Sequence, residues 1–362
     1  MRIAVVSHQL GGFDGVSIVA EQWAVAVEKL GSEVVEIAGR FGSRDTLRER
    51  RCFAPLWDAF GEEENPSWPS VMMLLTDVDA AIVHNALTLA SNPGASIRIR
   101  DALQILRLPA IVVHHDPPFE HRARRADERF PLDLDSAVHL APTTATALGI
   151  HLHRGFRPDV LANFVDTGAV SGGDREVTRQ LLGVKDDTLL VLHPVTPYRR
   201  KRVDRAVEAI RTLEDATGRE VVYWLTGADS TAENVDPGVG SYLGLLRRPH
   251  VSGYVPEIRD AYAASDFVIM SSDWEGWGLP VLEAAAAGRP VIASRYPLLS
   301  AITGAGVQVL DIENIPVWAP GIGAPGWAEM LETNRVAAAA FDVAGLPGQL
   351  SLLLRRAARR VR

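Results

Sequence analysis

The sequence predicts an α/β protein of two doubly wound domains with a cleft between them, and three observations carry that expectation. Short apolar runs without helical period alternate along the chain with amphipathic or polar stretches. A polar, glycine-rich segment, SGGDREV, falls near the middle, after which the alternation restarts. The length of 362 residues exceeds one ordinary domain.

The first run, RIAVVS, leads into the glycine loop HQLGGFDG. Beyond it Val16, Val19, Ala20, Trp23, Val27 and Leu30 recur at helical spacing, with Gly31 as a stop. EVVEIA then reads as the next strand, completing a strand–loop–helix–strand unit. DAAIVH (Asp79 to His84), PAIVVHH (Pro109 to His115) and SAVHLAP (Ser136 to Pro142) are further strands of buried character. The boundary falls at about Val165, giving a first domain over 1–165 and a second over 166–345. In the second half TLLVLHP is a strand and RVDRAVEAIRTLEDATG an amphipathic helix ending at Gly218. EVVYWLTG, HVSGYV, DFVIMSS and PVIAS supply further strands, and the chain turns helical from Trp327.

Composition narrows the function classes. A formal charge of −8 argues against nucleic acid as the main partner. The single cysteine, Cys52, excludes an intrachain disulfide framework and a multi-cysteine zinc site. The first apolar run is too short for a signal peptide, and no run reaches membrane-spanning length, so a cytoplasmic protein is expected. The basic islands HRARRADER (His121 to Arg129) and LRRAARRVR (Leu354 to Arg362) read as solvated faces. Their alternative is a site for anionic lipid or a phosphorylated acceptor, so peripheral membrane contact is a secondary expectation.

The most informative stretch is SSDWEGWGLPVLEAAAAGRPVIAS, Ser271 to Ser294. DFVIMSS is a buried strand, Pro280 suits a first helical turn, and Gly288 with Pro290 ends the helix. DWEGWG is therefore the loop at the carboxyl end of a strand, leading into a helix N-terminus. Open α/β sheets bind ligands there, and the free N–H groups favour phosphate. Glu275 in the loop and Glu283 in the expected first helical turn are suited to accept hydroxyl donors. Phosphate plus two sets of hydroxyls describes a nucleotide sugar. The plainer alternative is a helix-dipole role for Glu283 and a solvated Glu275.

The run Glu275 to Glu283, E-G-W-G-L-P-V-L-E, resembles the E-x7-E signature of retaining glycosyltransferases of family 4, with the GT-B fold. GGFDG before a long helix, VVHHD, LANFVD (Leu161 to Asp166) and YVPEIRDAYAASDFVIMSS resemble other parts of that family more weakly. The resemblance implies two Rossmann-like domains facing each other across a cleft. The acceptor would sit on the first and the donor on the second, with a C-terminal helix (346–362) crossing back. It implies that Glu283 holds the ribose hydroxyls and Glu275 the donor sugar. The amides of Gly276, Trp277, Gly278 and Leu279 would hold hexose and pyrophosphate, and Lys201 would neutralise the diphosphate. His115 would bond the donor sugar, with Lys201 and Glu275 completing the catalytic set, and Trp277 would line the cleft. No cofactor and no divalent ion is implied.

Two departures stand out. Thr196 occupies the position of a usual arginine, for which Arg199 or Arg200 could substitute. Ser300 and Ala301 stand near where relatives carry a glutamate. Gly11, Gly12 and Gly15 form GGxxG rather than the GxGxxG of dinucleotide enzymes, which disfavours an oxidoreductase. Gly12 and Gly15 are candidates for contact with donor phosphate or acceptor, and His84, Asn85 and Asp116 are acceptor-side candidates at strand ends. His121, His151 and His153 lack the cysteines or the i,i+4 pairing that would support a metal site. The expectation is transfer of a hexose, mannose or glucose, from GDP-mannose or UDP-glucose to a glycan, glycoside or small-molecule hydroxyl, with retention. The rival is a scaffold that binds a nucleotide sugar or polysaccharide without turnover; a phosphorylase is disfavoured because no lysine sits in a pyridoxal motif.

Overall fold

The computed structural model describes residues 1–57, 66–89, 92–120, 128–227, 235–252, 255 and 257–361. His121 and most of the first basic island lie outside the described residues, as do Gly253, Tyr254 and Pro256. The chain divides into two compact units, Met1–Phe164 with Val343–Arg362, and Val165–Asp342.

The first unit runs β1 (Arg2–Leu10), α1 (Gly15–Lys29), β2 (Glu33–Phe41), β3 (Glu49–Cys52), α2 (Trp68–Leu74), β4 (Ala80–His84), α3 (Pro93–Ile105), β5 (Ala110–Val113), β6 (Ala137–Ala141), α4 (Thr144–Arg154) and β7 (Asp159–Val160). Its parallel sheet has the order β3-β2-β1-β4-β5-β6-β7. Every residue of β4, β5 and β6 is buried, which is why these strands read as apolar runs rather than alternating ones. Helix α1 begins where Asp14 accepts from the N–H groups of Val16 (3.1 Å) and Ser17 (3.0 Å). It stops at Lys29, before Gly31 takes a left-handed turn at φ +74°, and Leu30 falls outside the core at 40% exposure.

The second unit runs α5 (Arg175–Leu181), β8 (Leu189–Pro194), α6 (Val203–Thr217), β9 (Val221–Thr226), α7 (Val239–Leu243), β10 (Pro249–Val251), α8 (Ile258–Ala264), β11 (Phe267–Met270), α9 (Leu279–Ala286), β12 (Val291–Ala293), α10 (Leu299–Thr303), β13 (Leu310–Asp311), α11 (Ile315–Trp318) and α12 (Pro325–Ala339). Its parallel sheet has the order β10-β9-β8-β11-β12-β13. The chain then returns to the first unit as α13 (Leu346–Arg360), which packs on α1, β5 and β6 through Leu346, Leu350, Leu353 and Ala357. No described helix is long and apolar enough to cross a membrane.

Some elements differ from expectation. HVSGYV is strand only over Pro249–Val251 among the described residues. Strand β3 carries the charged sequence ERRC and extends the sheet edge beside β2, pairing Val35 with Glu49. Buried Glu36 accounts for part of the charge, since Arg50 donates to it at 2.9 Å and Arg48, just before the strand, at 3.1 Å.

In both sheets the strand order reverses beside the first strand of the unit, between β1 and β4 and between β8 and β11. Loops leaving the carboxyl ends of such strands diverge and leave a crevice for ligands. In the second unit those are the loops carrying Lys201 and Glu275.

Candidate active site

The loop after β11 is fixed to the loop after β8 before any charge is considered. Ser271 donates through its hydroxyl to the Lys201 carbonyl (2.7 Å), and the Asp273 N–H donates to the Arg200 carbonyl (2.9 Å). Ser294, just past β12, donates to the Ser272 carbonyl and ties in a third strand end. On this frame Lys201 Nζ reaches Glu275 Oε1 at 2.6 Å and Oε2 at 2.7 Å. Ser272 also donates to Glu275, and Arg200 donates to the Trp274 carbonyl (3.0 Å) and to Glu275 Oε2 (3.3 Å). Glu275 is 6% exposed and Lys201 9%. Burial acts to raise the Glu275 pKa, but the charges of Lys201 and Arg200 outweigh it and hold the carboxyl below its ordinary value. Beneath them His193 shares a hydrogen bond with the Tyr223 hydroxyl (2.6 Å). Burial, with the nearby Lys201 charge, lowers its pKa to about 3, so it is a neutral support.

The solvated Glu275 of the plainer reading is therefore replaced by a buried, doubly paired carboxylate. Glu283 is also corrected. Helix α9 begins at Leu279, which puts Glu283 in the second turn rather than the first, beyond the reach of a simple dipole role. Glu283 accepts from the Tyr262 hydroxyl at 2.6 Å, and burial pushes its pKa up. Gly278, at φ +94°, precedes the helix, and no side chain caps it. Among the described residues, nothing accepts from the N–H groups of Gly276, Trp277, Gly278 or Leu279. Four consecutive donors at a helix start, beside two cations, suit the oxygens of a phosphorylated sugar. Arg199 is exposed, whereas Arg200 is drawn into the Glu275 cluster. Trp277 does not present its ring to solvent. It is 5% exposed and lies edge-on to Phe341, with ring centroids 6.0 Å apart.

In the first unit the candidate residues gather at the carboxyl ends of β4 and β5. Asn85, left-handed at φ +59°, accepts from the His115 N–H (2.8 Å) and donates to Asp116 Oδ2 (2.8 Å). His84 Nδ1 and His115 Nε2 are 3.0 Å apart and share one proton. Burial lowers the His115 pKa to about 4, with Asp116 and Asp14 pulling the other way, so at neutral pH it bonds as an uncharged ring. Of the acceptor-side candidates, His84 and Asn85 are buried, at 0% and 2% exposure, and Asp116 is partly exposed. Gly12 packs against Gln9 and Asp14, and Gly15 opens α1. Asp14 already accepts from the first helical amides of that turn, those of Val16 and Ser17.

Sequence reasoning missed Glu120, four residues past Asp116. Burial pushes its carboxyl up to about 7, against the Thr146 hydroxyl, while Asp116 adds to the rise. Its position after the VVHHD strand was the available signal. Among the described residues no group of three His, Cys, Asp or Glu side chains converges as a metal site.

Residues 187–316, which hold both Lys201 and the E-x7-E run, match the family described as glycosyl transferases group 1. The match spans 130 of the 362 residues, all within the second unit. Mannosylglucosylglycerate synthase of Thermotoga maritima is 25% identical over 366 residues, spanning 86% of this chain and 85% of that one. Lipopolysaccharide glucosyltransferase WaaG of Escherichia coli K12 is 28% identical over 120 residues, or 33% of this chain and 32% of that one. The solved structure of Anabaena Alr3699/HepE in complex with UDP-glucose superposes with a TM-score of 0.77 at 18% identity. That superposition covers 98% of this chain and 99% of the other, and the fold is GT-B. The group 1 match identifies a glycosyltransferase, and the lysine and glutamate it contains meet at the switch point of the second sheet.

Proposed function

We propose that this glycosyltransferase moves a hexose from a nucleoside diphosphate sugar to a hydroxyl of a glycoside or small-molecule acceptor, with retention and without a divalent ion. The observation that carries it is the pairing of Lys201 and Glu275 beside the unpaired amides of Gly276 to Leu279. In this reading Lys201 and Arg200 stabilise the diphosphate as the C1–O bond to it breaks, the largest electrostatic demand of the step. The acceptor oxygen bonds to C1 from the same face and passes its proton to the departing phosphate oxygen. Glu275 orients Lys201 and bonds the sugar, the Gly276–Leu279 amides hold sugar and phosphate oxygens, and Glu283 holds the ribose hydroxyls. Neutral His115 hydrogen-bonds the donor sugar, and Arg200, already in the cluster, takes the part that Thr196 cannot. The names of the Thermotoga synthase and of the UDP-glucose complex support mannosyl and glucosyl donors and a small glycoside as the first acceptor to try.

Calorimetry with UDP-glucose and GDP-mannose, without added metal, tests the donor assignment. Glu283→Ala should weaken the preferred donor by about 10–100-fold, the loss of one or two charge-assisted bonds. Unchanged affinity would sink the ribose assignment. Transfer to glucosylglycerate, followed by the anomeric configuration of the product, tests turnover and retention; donor binding with neither transfer nor hydrolysis would favour the non-catalytic scaffold.

A further inference from the structure

Tyr296 follows β12 at the same sheet edge as Glu275, two residues beyond the Ser294 that ties down Ser272. It is 4% exposed, and its hydroxyl has no hydrogen-bond partner among the described residues. The hydroxyl lies over the signature loop: a Cβ placed on Gly278 would come within 2.4 Å of it. A second buried polar atom on the same loop, Nε1 of Trp277, is also without a partner. Tyrosine and tryptophan rarely leave such groups unmade when buried, because an unsatisfied donor forfeits its hydration with nothing in return. Burial, reinforced by the Glu275 charge, pushes the Tyr296 pKa up, so the group is an O–H donor at every workable pH.

We propose that the Tyr296 hydroxyl contacts a hydroxyl of the donor sugar where it lies over Gly278 beside Glu275, and so selects donors that carry an oxygen at that place. This rests on the nucleotide-sugar reading above. A sugar hydroxyl can both donate and accept there, completing a bond the free protein lacks. The tight contact with Gly278 fixes the tyrosine oxygen relative to the four loop amides, so selection is by position as well as by polarity.

Tyr296→Phe separates this role from a merely structural one, because the two predict different patterns. The free variant should melt at the native temperature or about 2 °C higher, since it no longer buries an unpaired hydroxyl. Whichever of UDP-glucose and GDP-mannose the native protein prefers should bind about tenfold more weakly, the loss of one hydrogen bond. UDP and GDP alone should bind as before. Tyr296→Met should show the same selective loss. A variant that binds the sugar nucleotide as tightly as the native protein would overturn the proposal. An equal loss for the sugar nucleotide and its bare diphosphate would move the contact off the sugar and also overturn it. Native protein that binds none of the four ligands would instead refute the donor reading, before any variant is compared, and this inference with it.

Discussion

Replacing Lys201 with methionine keeps the bulk of the side chain and removes one charge from a nearly dry pair. Glu275 then loses contacts at 2.6 and 2.7 Å and keeps only Arg200 at 3.3 Å and the Ser272 hydroxyl. Breaking one side of a buried ion pair costs about 3–5 kcal/mol, and the surviving partners place the expected loss near the lower end, at about 3 kcal/mol. The pH dependence gives the sign. In the native protein the Glu275 pKa lies below its ordinary 4.5, so its charge stabilises the fold above that pH and the contribution is lost as pH falls. In the variant burial is opposed by less positive charge, so the carboxyl pKa rises and its charged form becomes a liability. The gap between native and variant in guanidinium unfolding should therefore be widest near pH 8 and narrow towards pH 5. Lys201→Met combined with Glu275→Gln should recover at least half of it. A gap that does not change with pH, or a double variant no more stable than the single one, would refute the assignment of the pair as a desolvated, mutually dependent unit.

Gly278→Ala should lower stability by about 1–3 kcal/mol, because φ is +94° and the new methyl would press on the Tyr296 hydroxyl; urea melts check this, and an unchanged midpoint would mean the loop rearranges freely. Stability should fall as pH drops from about 6.5 towards 5, before most carboxylates titrate. His115 (about 4) and His193 (about 3) stay neutral in the fold while unfolded histidines protonate near 6.5. His193→Asn should make that slope shallower in chemical melts at pH 7, 6 and 5, and an identical slope would count against it. Arg48→Ala strips Glu21, Glu28 and buried Glu36 of a shared partner and should cost about 2 kcal/mol while leaving donor affinity unchanged; a binding defect would point to a role beyond support.

The long apolar runs and the signature loop were legible because each obeys a local rule. Strands buried on both faces are continuously apolar, and Pro280 and Gly288 punctuate the helix between them. Strands β7 and β13 were not legible, being two residues long and too short for any period. Strand β3 was hidden because its charged residues answer to partners elsewhere in the fold, Arg50 to Glu36, Arg51 to the Leu74 and Thr76 carbonyls, and Glu49 to Arg2. The same limit applied at the site. The family resemblance gave Glu275 and Lys201 separate duties, but 74 residues separate them and only the sheet order brings them together. Position also distinguishes Asp116 from His84 and Asn85, three polar strand-end residues that look alike in sequence. Tyr296 carried no pattern at all, since the significance of its hydroxyl lies in what it fails to touch.

The return of α13 to the first unit makes that unit discontinuous, whereas Val165–Asp342 is a single stretch of chain. On the ribosome the second unit therefore has all its parts first. The first unit waits, with the surface that receives Leu346, Leu350 and Leu353 uncovered, until the final helix emerges. A nascent chain that has not yet released residue 346 holds the complete signature loop while the first unit still has that apolar surface bare, a site for a chaperone to bind.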